Sequence, residues 1–281
     1  MIPVSRTDAG PVGAISPGLC NALHDKLCDG QVVSCMSVKL IRSPDVARLA
    51  CMAGFDAIYI DLEHGNFDLA LTSQVCLTAY DLGMTALVRT RMDAIPSVLD
   101  AGAMGIIVPH VENADAARAC VSLARFPPEG ARGSVNRIPQ LCFEHVPAKT
   151  LHPAVNAATF VAVMVESAAA LAHVEDIASV AGVDMLFIGA NDLSADLGIA
   201  GDYEHPGMQQ AMRDIFHAAA RHDKYIGLGG LGSRQDLLAQ YIAKGARFVS
   251  MGADLTLFAN AAGACVEKFK ALALCRNGKS G

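Results

Sequence analysis

The sequence has no C-x-x-C pair, although it carries nine cysteines in 281 residues. They are scattered, mostly through apolar stretches where Cys acts as a small hydrophobe. That argues against a disulfide scaffold or a thiolate zinc site and for reduced thiols in a cytoplasmic protein. No apolar run reaches the roughly 18 residues that a membrane span requires, so no membrane partner is expected. Positive charge is not in surplus either: the formal net charge is −6 and the pI is near 5.8. A nucleic-acid partner needs a concentrated basic surface and is not expected. Residues 1–18 are rich in Pro, Gly and Ser and lack the apolar core of a secretory signal, so they read as a flexible N-terminal arm. No linker or long charge run divides the rest, which makes 19–281 one domain with a C-terminal helix.

What is present is an alternation of short β-branched runs with longer helical stretches. Strands are expected at 32–38, 57–60, 85–88, 105–108, 159–165, 184–188, 225–228 and 248–251. Helices are expected at 44–53, 69–82, 95–101, 114–124, 168–180, 207–221, 234–243 and 255–274. Uniformly apolar strands belong to a parallel sheet buried on both faces. No glycine-rich dinucleotide loop follows the first strand, which weakens the case for an open doubly wound sheet. The expectation is an α/β protein, a single-domain (β/α)8 TIM barrel. Residues 126–156 break the rhythm with little periodicity and read as a long functional loop.

The polar residues fall at strand ends. Asp61, Glu63 and His64 follow the second strand, Arg89 the third, Glu166 the fifth, and Asn191 and Asp192 the sixth. In a barrel all of these lie at the C-terminal face, where active sites are built. Singly, Glu166 or Asp192 would serve as a helix-terminal acid or cap. Together at one mouth they offer hard oxygen ligands to a cation such as Mg2+ or Mn2+, with positions left for water and a chelating substrate. His64 among carboxylates suits proton transfer near neutral pH. Arg89 is placed to grip a carboxylate or an enolate oxygen. The other histidines show no metal-ligand spacing and read as surface or packing residues, His110 being notable because it too follows a strand. These motifs place no lysine at a strand end, which argues against a Schiff-base route.

Residues 54–64 (GFDAIYIDLEH), 87–89 (LVR), 98–103 (VLDAGA), 125–133 (RFPPEGARG), 165–167 (VES) and 187–194 (FIGANDLS) together resemble the HpcH/HpaI aldolase family. The resemblance runs from about residue 33 to 258 and implies a class II, divalent-metal-dependent carbon–carbon lyase that forms or cleaves 2-oxo acids through a pyruvate enolate. It implies that Glu166 and Asp192 bind Mg2+ (or Mn2+ or Co2+), with Asp61 bonded to a water of that metal. His64 is then the acid/base, oriented by Asp100, and Arg89 contacts the enolate oxygen. Backbone amides around Gly189, Ala190, Asn191 and Asp192 receive the pyruvyl carboxylate. The family resemblance also implies a homo-oligomer, a hexamer or trimer. Met164 stands where bacterial members often have Gln, and the 89–100 stretch is a few residues shorter than usual. Lys39-Leu40-Ile41 and 54–64 also resemble macrophomate synthase-type members, which decarboxylate oxaloacetate. That activity is the alternative expected, ahead of a non-catalytic barrel that only binds an oxoacid.

Overall fold

Strands that are apolar on both faces are stable only where both faces are covered. A closed barrel with helices outside and side chains inside meets that condition. The computed structural model describes residues 18–277; apart from Gly18, the proposed arm at 1–18 lies outside the described residues. Eight parallel strands run β1 (Val33–Val38), β2 (Ala57–Asp61), β3 (Thr85–Arg89), β4 (Gly105–Val108), β5 (Phe160–Val165), β6 (Met185–Gly189), β7 (Tyr225–Gly229) and β8 (Phe248–Ala253). They pair in sequence order and close with β1 against β8. The expected (β/α)8 barrel is the fold, and every expected strand is present within two residues at either end.

The two-residue strand period sorts each strand's side chains between two cores. Ile58, Ile60, Val88, Val163 and Val165 face outward into the helix layer. Ala57, Tyr59, Leu87, Met164 and Phe187 face inward and fill the barrel. Continuing the inward rows one step past the apolar filling reaches Lys39, Asp61, Arg89 and Glu166. The same alternation that builds the core therefore aims these polar side chains at the mouth.

Three local expectations need correction. Residues 148–158 are not loop but a helix, Ala148–Ala158, despite an internal Pro153. Its Leu151 and Val155 pack with Phe126 and Ile138 in a separate small core, and that burial outweighs the proline's lost hydrogen bond. The expected helix at 168–180 is two, Ala168–Ala172 and Val174–Ala178, divided at His173, whose φ and ψ of −111° and 15° are not helical. A short helix, Ala22–Cys28, was not expected; Asn21 caps it, and Leu23 and Leu27 join the inner core.

Candidate active site

Parallel register builds the centre of the site. Asp61 on β2 and Arg89 on β3 are direct register partners, both pointing inward. Arg89 donates from Nε to Asp61 Oδ1 at 2.9 Å and from Nη2 to Oδ2 at 2.5 Å. Its Nη1 lies 3.0 Å from Glu63 Oε2. The Glu63 and His64 amides each donate to Asp61 Oδ1 at 3.1 Å. Gly65 closes this turn, because a Cβ there would sit 2.2 Å from the Asp61 carbonyl oxygen. Burial alone would raise the Asp61 carboxyl; Arg89, the His64 amide and the Lys39 charge outweigh it and hold it below the usual range. Burial likewise would lower the Arg89 guanidinium, but Asp61 outweighs it and raises it. Asp61 is thus the anchor of Arg89.

Across the mouth, Glu166 follows β5 and is 5% exposed. Its Oε1 accepts from the His110 amide at 2.8 Å and lies 3.3 Å from His110 Nδ1. His110 Nε2 reaches Glu63 Oε1 at 2.9 Å, so the chain Asp61–Arg89–Glu63–His110–Glu166 is continuous. Val165 pairs with Ile188, which sets Glu166 beside Gly189. A Cβ on Gly189 would stand 3.0 Å from Glu166 Oε2, so only glycine leaves that oxygen open. The chain then turns into the helix Ala190–Asp196, with Asp192 in its first turn. Burial, then the nearby Glu63 and Asp192 charges, push the Glu166 carboxyl above its usual range against the opposing pull of His110.

This pair fits a divalent cation. A buried carboxylate with one open oxygen, raised by burial and by two neighbouring carboxylates, is an environment that a positive ion relieves. Among the described residues no cluster of three or more His, Cys, Asp or Glu has ligand geometry. Two carboxylates with the remaining positions left to water and substrate suit an open divalent-cation site rather than a closed structural one.

The cleft above has a volume of about 830 Å3 and is lined by Lys39, His64, Arg89, Met164, Gly189, Ala190, Asn191 and Asp192, among others. Of the expected residues, His64, Asp61, Arg89, Glu166 and the 189–192 turn are brought to this mouth. The Asn191 side chain is already engaged, its Oδ1 accepting from the Tyr203 hydroxyl at 2.5 Å. Asp100 is not brought there. Its helix, Ile95–Asp100, runs back along the barrel wall and ends just before β4 begins, at the opposite face, where Arg132 Nη2 donates to Asp100 Oδ1 at 2.6 Å. Within the chain, then, Asp100 does not orient His64. Outside the motifs that carry the family resemblance, Lys39 directly follows β1, and its Nζ lies 3.2 Å from Asp61 Oδ2. Glu63 and His110, noted for following strands but given no role, take part in this network, and position after β1 would likewise have pointed to Lys39.

The matching family is described as HpcH/HpaI aldolase/citrate lyase, over residues 39–261. The chain belongs to this family. It is 37% identical over 262 residues to the 4-hydroxy-4-methyl-2-oxoglutarate aldolase of Hapsidospora irregularis, covering 91% of this chain and 97% of the relative. It is 35% identical to the 4-hydroxy-2-oxo-heptane-1,7-dioate aldolase of Salmonella arizonae, covering 89% and 95%. The solved HpcH/HpaI aldolase of Desulfitobacterium hafniense superposes with a TM-score of 0.81 at 27% identity, covering 89% of this chain and 97% of that one. This chain is accordingly a carbon–carbon lyase of the HpcH/HpaI aldolase type. The family is divalent-metal-dependent in general, and small oxo acids fit as its substrates.

Proposed function

We propose that this aldolase cleaves, and in reverse forms, 4-hydroxy-2-oxo acids, releasing pyruvate. The observation that carries the reading is the buried Glu166 carboxylate, open at one oxygen over Gly189 and close to Asp192, on the same mouth as the Asp61-anchored Arg89. Glu166 and Asp192 would hold Mg2+, with Mn2+ or Co2+ as substitutes. When bound, that cation supplies Lewis-acid polarisation of the 2-oxo group. The backbone amides of Ala190 and Asp192, at the start of their helix, receive the pyruvyl carboxylate. His64, its ring on the cleft and its amide fixed on Asp61, takes the proton of the C4 hydroxyl as the C3–C4 bond breaks, and protonates C3 afterwards. Arg89 donates to the oxygen on which enolate charge grows.

Two further readings accompany it. Among the described residues no helix is long and apolar enough to cross a membrane, and eight cysteines are free, which supports a cytoplasmic location. The helix Asp254–Asn277 leaves Leu255, Phe258, Val266, Phe269 and Leu272 exposed, apolar surface that a homo-oligomer, a trimer or hexamer, would cover.

The test is pyruvate release from 4-hydroxy-4-methyl-2-oxoglutarate and from oxaloacetate, with and without EDTA. Metal-dependent release from the hydroxy acid is expected, EDTA abolishing it and Mg2+ restoring it. Release from oxaloacetate alone assigns decarboxylation instead, and release that persists in EDTA removes the metal from the reading.

His64→Ala separates the two chemistries. Decarboxylation generates the enolate by loss of CO2 and needs no initial proton abstraction. The variant is therefore expected to lose about 10²- to 10⁴-fold in retro-aldol turnover, the scale of one general acid–base group, and much less with oxaloacetate. Equal losses in steady-state assays of both reactions would make His64 a scaffold residue.

A further inference from the structure

A lysine stands at the mouth of the barrel. Lys39 continues the inward row of β1, directly beside Asp61, because Val38 pairs with Ile60 in register. Its ammonium carries three donors, and its ion contact is with Asp61 Oδ2 at 3.2 Å. That oxygen is already held by Arg89, and the other Asp61 oxygen by Arg89 and two amides. Both Asp61 oxygens have other donors, and among the described residues the Lys39 ammonium makes this one ion contact, so it keeps donors to offer the cleft. Its side chain is 31% exposed and lines the cleft. On the same wall, Ser37 is buried with its hydroxyl toward that of Tyr59. Ser250 on β8 lines that wall too.

The position relative to the rest of the site decides what this cation faces. In the closed order of eight strands, β1 lies across the barrel from β5, which carries Glu166, with Arg89 on β3 between them. One cleft is lined by both Lys39 and the 189–192 turn, so a substrate seated by its pyruvyl half on that turn has room to extend its other half to Lys39. A cleft of about 830 Å3 leaves room well beyond a three-carbon unit. A cation with free donors on that wall receives an anion there rather than an alkyl group.

We propose that Lys39 is a specificity-determining residue that binds a second carboxylate, on the non-pyruvyl half of a dicarboxylic 4-hydroxy-2-oxo acid. The inference rests on the aldolase reading above and adds the residue that reads the second carboxylate. In the reaction it serves, the C3–C4 bond breaks, its electron pair goes to the enolate of pyruvate, and the C4 hydroxyl gives up its proton as C4 becomes a carbonyl. Protonation at C3 then completes pyruvate. Lys39 takes no part in these transfers and holds the departing carbonyl compound by its carboxylate.

Two substrates that differ only at that group test it. Retro-aldol cleavage of 4-hydroxy-4-methyl-2-oxoglutarate yields two pyruvates; 4-hydroxy-4-methyl-2-oxopentanoate, with methyl in place of the second carboxylate, yields pyruvate and acetone. Lys39→Gln is expected to lower the ratio of kcat/KM for the first over the second by roughly 10- to 100-fold, the scale of a charge-assisted hydrogen bond, chiefly through KM. Lys39→Arg, which keeps the charge, should recover much of the ratio. An unchanged ratio, with both substrates falling together, overturns the proposal and leaves Lys39 as a support for Asp61. A wild-type protein that cleaves neither substrate defeats the aldolase reading itself, a different outcome from an unchanged ratio.

Discussion

Glu166→Gln is expected to lower metal-dependent turnover by about 10³-fold or more at limiting Mg2+, the several kcal/mol that a Lewis acid supplies. Glutamine keeps the shape and can still accept from the His110 amide, so the barrel wall is undisturbed. What it removes is a charge that burial, Glu63 and Asp192 already push toward neutrality. Without metal, therefore, the variant should melt at the wild-type temperature or above it, because a disfavoured charge has gone. With saturating Mg2+ the wild type should gain thermal stability and the variant little, since only a state that binds the ion is stabilised by it. Asp192→Asn should lose turnover in the same way. Titration calorimetry with Mg2+ and a steady-state assay at low metal check both variants. Wild-type turnover at limiting metal in either one would remove that residue from the metal site.

Arg89→Lys is the second large effect, a fall in kcat of about 10²-fold, the scale of losing one preorganised donor. The guanidinium has five N–H donors. Three are engaged, two by Asp61 and one by Glu63, which leaves two for the substrate oxygen. Lysine keeps the charge but cannot hold Asp61 through a planar fork and reach the cleft at the same time. At 6% exposure Arg89 is no surface ion pair, whose loss would leave the rate alone. Mg2+ affinity should be retained, because Arg89 is not a ligand. A comparison of kcat at saturating Mg2+ decides the matter, and an unchanged value would take Arg89 out of transition-state stabilisation.

The sequence by itself determined the barrel and the membership of its mouth. Strand order, uniform apolarity and length are local properties of the chain, and the inward row past the last apolar residue of β2, β3 and β5 names Asp61, Arg89 and Glu166 directly. Only the tertiary structure decided which of these residues serve one another. Asp61 belongs to Arg89 because β2 and β3 pair in that register, and register is a relation between strands that neither strand contains. Asp100 is removed from His64 because its helix runs antiparallel to the strands and carries it to the opposite face, where Arg132 waits from the 126–156 segment. The helix Ala148–Ala158 forms against its own proline because a separate core buries Leu151 and Val155, contacts remote in sequence from Phe126. Glu166 keeps one oxygen open because its neighbour across the sheet is Gly189, and Lys39 reaches Asp61 because β1 lies beside β2. Residue type and period fix which side chains face the mouth; closure of the sheet fixes their partners, and the chemistry depends on both.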